Sequence, residues 1–166
     1  PIIEFPRNAD MSWTSRGICT VLLLSLLSCG GTEGNRPFLM VQTCVQDEAG
    51  IARLIEEMKA VAASRRMRFT DRSEETAREL KAVDYPGPER ADGSRVFNVS
   101  VRRDDGMGFS AGNTSLPGYQ VALGFSEGAN PSEARELANE VVKRLEQYWT
   151  VETVPADSGA MPKPGC

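Results

Sequence analysis

Arg95-Val96-Phe97-Asn98-Val99-Ser100-Val101-Arg102 alternates apolar and polar residues without a break. A period of two marks a strand with one covered face. Phe97, Val99 and Val101 are therefore expected inward, and Asn98, Ser100 and Arg102 outward. The next residues extend the sheet. Asp105-Gly106 is the dipeptide a tight hairpin uses, and residues 107–110 read as a short returning strand. Tyr119-Gln120-Val121-Ala122-Leu123-Gly124-Phe125 alternates again, with Tyr119, Val121, Leu123 and Phe125 on one face. Upstream, Phe38-Leu39-Met40-Val41-Gln42-Thr43-Cys44-Val45 is apolar on both faces, which suits a central strand. Pro37 stands at its entry, where proline is tolerated. Arg68-Phe69-Thr70 is a very short strand, and Trp149-Thr150-Val151-Glu152-Thr153-Val154 is the last one.

Two helices supply the cover. Residues 48–65 place Ile51, Leu54, Ile55, Met58, Val61 and Ala62 at helical spacing, with Asp47 as cap. Arg53, Glu56, Glu57 and Lys59 fill the opposite side. Asn130-Pro131-Ser132-Glu133 opens the second: Asn caps, Pro takes the first turn and Glu stands third. That helix is expected to reach about Tyr148, with Ala134, Leu137, Ala138, Val141 and Leu145 inward. A weaker helix over residues 74–83 ends before Tyr85-Pro86-Gly87-Pro88, and residues 85–94 read as a loop.

The order strand, helix, strand, strand, helix, strand resembles the split βαβ, ferredoxin-like arrangement, with an insertion after the first helix. The expected class is α+β: a two-layer sandwich, an antiparallel sheet with two helices on one face. The resemblance is one of topology and implies no activity. It runs the last strand antiparallel beside the first.

Ahead of this domain, Leu26-Leu27-Ser28-Cys29 closes an uncharged run of about ten residues that follows Arg16. Such a run is too short to span a bilayer, which takes roughly 20 residues. The pattern resembles a bacterial lipoprotein signal, with the cysteine first in the mature chain. The resemblance covers residues 11 to about 31. It implies cleavage before Cys29, acyl chains on Cys29 and a location in the cell envelope. With Gly30 rather than Asp after the cysteine, it implies sorting to the outer membrane, facing the periplasm. The organisation expected is then a non-native or mis-called extension (1–10), a signal peptide (11–28), a tether (29–36), one domain (37–154) and a Pro/Gly-rich tail (155–166). The alternatives are a plain cleaved signal and a buried helix.

If Cys19 leaves with the leader and Cys29 carries lipid, Cys44 and Cys166 remain, an even pair in an oxidising compartment. A disulfide between them is expected, with a buried free thiol at Cys44 as the alternative. The tail of about a dozen residues, spanning up to roughly 40 Å, is long enough to bring Cys166 back to Cys44.

The formal charge of −4 disfavours nucleic acid, which needs a basic stripe. Arg65-Arg66-x-Arg68 with Arg72 is the exception. It reads as a solvated helix end, with contact to anionic lipid headgroups as the sharper alternative. There is no histidine, which removes histidine-dependent triads and the common histidine-containing zinc sites. Asp104-Asp105 reads as a turn and Asp47-Glu48 as a helix start, rather than as acid/base pairs. Gly106, Gly108, Gly112 and Gly118, with Asn113 and Ser115, match no phosphate-cradle spacing. No catalytic, cofactor or metal residue is assigned.

Two surfaces are candidates for binding: the outer sheet face with Asn98, Ser100 and Arg102, and the Gly-rich loop with Phe109, Asn113, Leu116 and Tyr119. The expected function is a non-enzymatic, membrane-anchored envelope lipoprotein that binds an envelope protein, or a second copy, through one of them. A periplasmic small-ligand or sensing module is the alternative, and a carboxylate- or serine-dependent enzyme the third.

Overall fold

The computed structural model describes residues 36–84, 95–155 and 159–166. The expected extension, signal peptide, lipidated Cys29 and most of the tether lie outside the described residues, as does the loop at 85–94. The compact unit Arg36–Cys166 carries its own core.

That unit is α+β, as the alternation and helical stripes require. Its elements are β1 (Leu39–Cys44), α1 (Glu48–Ser64), β2 (Arg68–Asp71), α2 (Ser73–Ala82), β3 (Asn98–Arg102), β4 (Gly108–Gly112), β5 (Gln120–Ser126), α3 (Pro131–Leu145) and β6 (Val151–Val154). One six-stranded sheet has the order β2-β3-β4-β5-β1-β6, and every neighbouring pair is antiparallel.

Both predicted caps form. The Asp47 carboxylate accepts from Gly50 N at 2.7 Å, and the Asn130 side chain accepts from Glu133 N at 3.3 Å. Each fills an otherwise unpaired donor of a first helical turn. The predicted stripes of α1 and α3 are buried. They pack on Val41, Val99, Val101, Phe109, Ala111, Val121, Leu123 and Phe125 from the sheet, in one core. Gly50 is required where α1 meets β1, because a Cβ there would stand 1.9 Å from the Val45 carbonyl oxygen.

The strand order β6-β1-β5-β4 is ferredoxin-like, but its fourth member is β4, not the stretch 95–102. β4 runs to Gly112 and lies between β3 and β5, so β2, α2 and β3 form the insertion. β3 starts at Asn98 rather than Arg95 because the Phe97 N–H turns to the Asn113 side chain, at 2.8 Å. α3 ends at Leu145 rather than Tyr148, and Tyr148 and Trp149 both donate back to the Leu145 carbonyl. β6 therefore begins only at Val151.

The weaker helix expected over residues 74–83 forms as α2, beside the two on one face. α1 and α3 cover the core face, while α2 meets the sheet from the other side. Asn98, opposite in parity to Val99 and Val101, donates through Nδ2 to Thr76 Oγ1 at 2.9 Å and through its backbone N–H to Ser73 Oγ at 3.1 Å. No described helix is long and apolar enough to cross a membrane.

Candidate functional site

The outer sheet face is not the open platform the sequence suggests. A strap of the chain's own tail crosses it. The described end of the tail, residues 159–166, lies over β1 and β5, and Cys166 is bonded to Cys44 with Cα atoms 5.6 Å apart. Two glutamines pin the strap. Gln120, fully buried, donates to the Met161 carbonyl at 2.6 Å and to Gln42 Oε1 at 3.3 Å, and accepts from Lys163 N at 2.8 Å. Gln42 Oε1 also accepts from Met161 N at 3.2 Å. The Lys163 ammonium pairs with the Glu152 carboxylate, and this contact, together with a hydrogen bond donated by Gln42 Nε2, holds the carboxyl below the usual range. A buried amide is stable only when its donors and acceptors are met, and the tail meets them.

Between strap and α2 the outer face is narrow and made of small residues. Ser100, Ser110 and Gly124 fall in one cross-strand row, and Gly112 and Ala122 in the next. Asn98 is half-buried under α2, so it is a packing residue and not a free contact. Ser100 is half-buried, and Arg102 alone of the predicted trio is exposed.

The Gly-rich loop surface is overturned. Phe109, Asn113 and Leu116 are each 1% exposed. Phe109 points into the core and stacks on Phe125 with centroids 5.6 Å apart. Asn113 is a clamp: it accepts from Phe97 N and donates to the Arg95 carbonyl at 3.1 Å. Tyr119 is half-buried against the core. The short strand expected at 107–110 forms and runs on to Gly112, and Gly108 is needed in it because a Cβ there would lie 2.1 Å from the Val101 carbonyl oxygen.

An open groove of about 580 Å³ lies at the end of the sheet where β1 finishes and β6 begins. Its walls include Cys44, Gln46, Trp149, Tyr148, Glu146 and Lys163. Gln46 adopts φ 71°, a left-handed conformation uncommon for a side-chain-bearing residue and frequent at functional sites. Tyr148 is 42% exposed yet held in place: Arg53 lies 4.7 Å from its ring centroid, and its hydroxyl donates to Glu57 at 3.2 Å. Trp149 packs against Tyr148, with centroids 5.4 Å apart, and against the core. Sequence reading took residues 149–154 as one strand and so missed this aromatic wall.

The carboxylates are structural. At the hairpin, Arg103 binds Asp105 at 2.7 Å and Glu133 at 2.6 Å, tying the β3–β4 turn to the start of α3. The Arg103 guanidinium, helped by the Met107 amide, lowers the Asp105 carboxyl from 3.8 to about 2 and depresses Glu133 as well. A depressed carboxyl contributes stability above its unfolded value, and the contribution fades as pH falls through the folded one. The urea midpoint of the protein should therefore exceed that of Asp105→Asn at about pH 5, and the difference should close by about pH 2. A gap independent of pH would place the role of Asp105 in packing. Asp104 is fully exposed. Asp47 serves as a cap, and Glu48 faces Arg95 at 3.5 Å. Among the described residues no three His, Cys, Asp or Glu are grouped to hold a metal.

Neither the protein-family models, nor the curated proteins, nor the solved structures contain a match to this chain.

Proposed function

We propose that this chain is an envelope lipoprotein, anchored through acyl chains on Cys29, whose domain binds another envelope protein at the Tyr148–Trp149 groove. The bond between Cys44 and Cys166 is the observation that carries the location. Disulfides persist in oxidising compartments, and these are the two cysteines left once a leader and a lipid-bearing cysteine are set aside.

The groove carries the mode of action. Tyr and Trp give large contact area with little loss of side-chain freedom, and they dominate binding hot spots. Here the tyrosine is already fixed by Arg53 and Glu57, so less ordering remains to be done on binding. The groove is also within the 300–1,000 Å³ range of small-molecule sites, which supports a ligand-binding module as the second reading.

Two experiments test the pair of claims. Intact mass of the membrane-extracted, non-reduced protein should equal residues 29–166 plus acyl chains, less two hydrogens. A mass retaining the leader, or lacking acyl chains, removes the anchor. For the groove, a photo-crosslinker at Gln147 should trap one stoichiometric protein in native membranes, while the same probe at Lys81 on α2 should not. Equal trapping at both positions, or none at Gln147, would dismiss the groove as the protein-binding site.

A further inference from the structure

The arginines of this domain are not spent evenly. Arg65 binds Glu140 at 2.5 Å, Arg72 binds Glu75 at 2.7 Å and Arg103 is doubly paired. Arg68 and Arg102 stand apart. They are register partners on adjacent antiparallel strands, so both project from the same face as direct neighbours. Like charges placed opposite each other across strands are unfavourable, and here little neutralises them. Arg68 has only the fully exposed Asp104, at 3.9 Å. Arg102 has no carboxylate partner among the described residues, and neither does Arg66, in the turn just before β2, nor Arg36. All four arginines are exposed.

These residues share one end of the sheet. Successive registers join Arg68 to Arg102, Arg102 to Gly108 and Gly108 to Ser126 in a single row. Phe38, which donates to the Phe125 carbonyl at 2.9 Å, continues that row on the β1 side. Pro37 lies over Gly124 on the same outer face, 3.4 Å from where a Cβ would stand. The chain thus enters the domain at the end of the sheet that carries the unspent arginines, four strand spacings or about 19 Å from Arg68.

We infer that this end docks on the headgroups of anionic phospholipids. The inference rests on the lipid-anchor reading, and covalent reach supports it. The eight residues from Cys29 to Pro37 span at most about 28 Å, which keeps the entry end close to the bilayer surface. Electrostatic attraction acts within a Debye length, about 8 Å at physiological salt. A chain with a net negative charge is repelled by an anionic leaflet overall. The carboxylates of that end, Asp105, Glu133 and Glu127, are taken up by Arg103 and Arg135, so approach is favoured when the outer face with Arg68 and Arg102 leads, and that end is where the tether pulls. Docked this way, the Tyr148–Trp149 groove, at the opposite end of the strands, points away from the lipid and stays accessible. Lipid phosphates would separate and neutralise the Arg68–Arg102 pair, relieving its cross-strand repulsion.

The test uses residues 36–166, the compact unit that holds the whole described core, with vesicles of phosphatidylglycerol and phosphatidylcholine or of phosphatidylcholine alone. Sedimentation should show partition onto the anionic vesicles only, abolished at high salt. Each basic residue near such a surface is worth roughly fivefold in partition, so Arg68→Gln with Arg102→Gln should weaken it by at least about tenfold. Melting should be unchanged or raised, since the repulsion is removed. Lys143→Glu, in the last turn of α3 at the far end, should leave partition within about twofold. Equal partition of the double variant, no partition at all, or tighter binding to soluble polyglutamate than to vesicles would each overturn the inference, the last in favour of an acidic protein segment. The intact mass of the full chain separates the two failures. Acyl chains present with no vesicle partition reject headgroup docking alone, whereas their absence rejects the anchor.

Discussion

Replacing Cys44 and Cys166 with serine is expected to cost about 4–5 kcal/mol of stability. The bond joins residues 122 apart in sequence, and in the chain-entropy model a loop of that size restrains the unfolded chain strongly. For a domain of this length the loss corresponds to a fall in Tm of roughly 15–20 °C. The folded state loses something too. Without the bond, the strap depends on side-chain contacts such as those of Gln42, Gln120 and Glu152, so amides near Met161 and Lys163 should exchange faster than the rest of the sheet. Calorimetry of the oxidised protein against the double serine variant checks the first point, and hydrogen exchange the second. A Tm within a few degrees of the parent would mean that the unfolded chain is not restrained as the model supposes.

Phe109→Ala is expected to destabilise by about 3–5 kcal/mol, the usual cost of truncating a buried phenylalanine. The ring is 1% exposed and stacked on Phe125, and the sheet on either side is closed by glycines that leave the backbone no slack to collapse into the cavity. Urea unfolding decides the matter. A loss under about 1 kcal/mol would return Phe109 to the role of an exposed contact residue, as the composition of its neighbourhood suggests.

That neighbourhood shows where sequence reading succeeds and where it fails. Period-two alternation identified β3 and β5, a continuous apolar run β1, period-3.6 stripes α1 and α3, and capping residues both helix starts, because each is written in neighbouring residues. Met107, Phe109 and Ala111 also alternate inward, and all are buried. The strand was read only as far as residue 110 and Phe109 was taken for a surface contact, since glycines that let backbones approach look the same in sequence as glycines that let a loop turn. The exposed outer face was misjudged for a different reason. Its cover is a tail without periodicity, and the two residues that hold it, Gln42 and Gln120, lie 78 apart in sequence. A glutamine inside an apolar strand was the available signal, because a buried amide needs partners. Their identity is a long-range fact that no local pattern carries. The groove was missed similarly: Tyr148 and Trp149 look like the end of a helix and the start of a strand, and they become one wall only through the turn between them.

The covalent link between Cys44 and Cys166 also decides what a protease can accomplish. The loop it closes contains every element after β1. A single cut in any connection inside that loop opens the chain without dividing the molecule, because both fragments stay joined through the sulfur bridge. The fragment with β1 remains continuous with whatever precedes it, and so the other does too. Shedding the domain from its upstream chain therefore takes a cut before Cys44, or a cut after it together with a reductant.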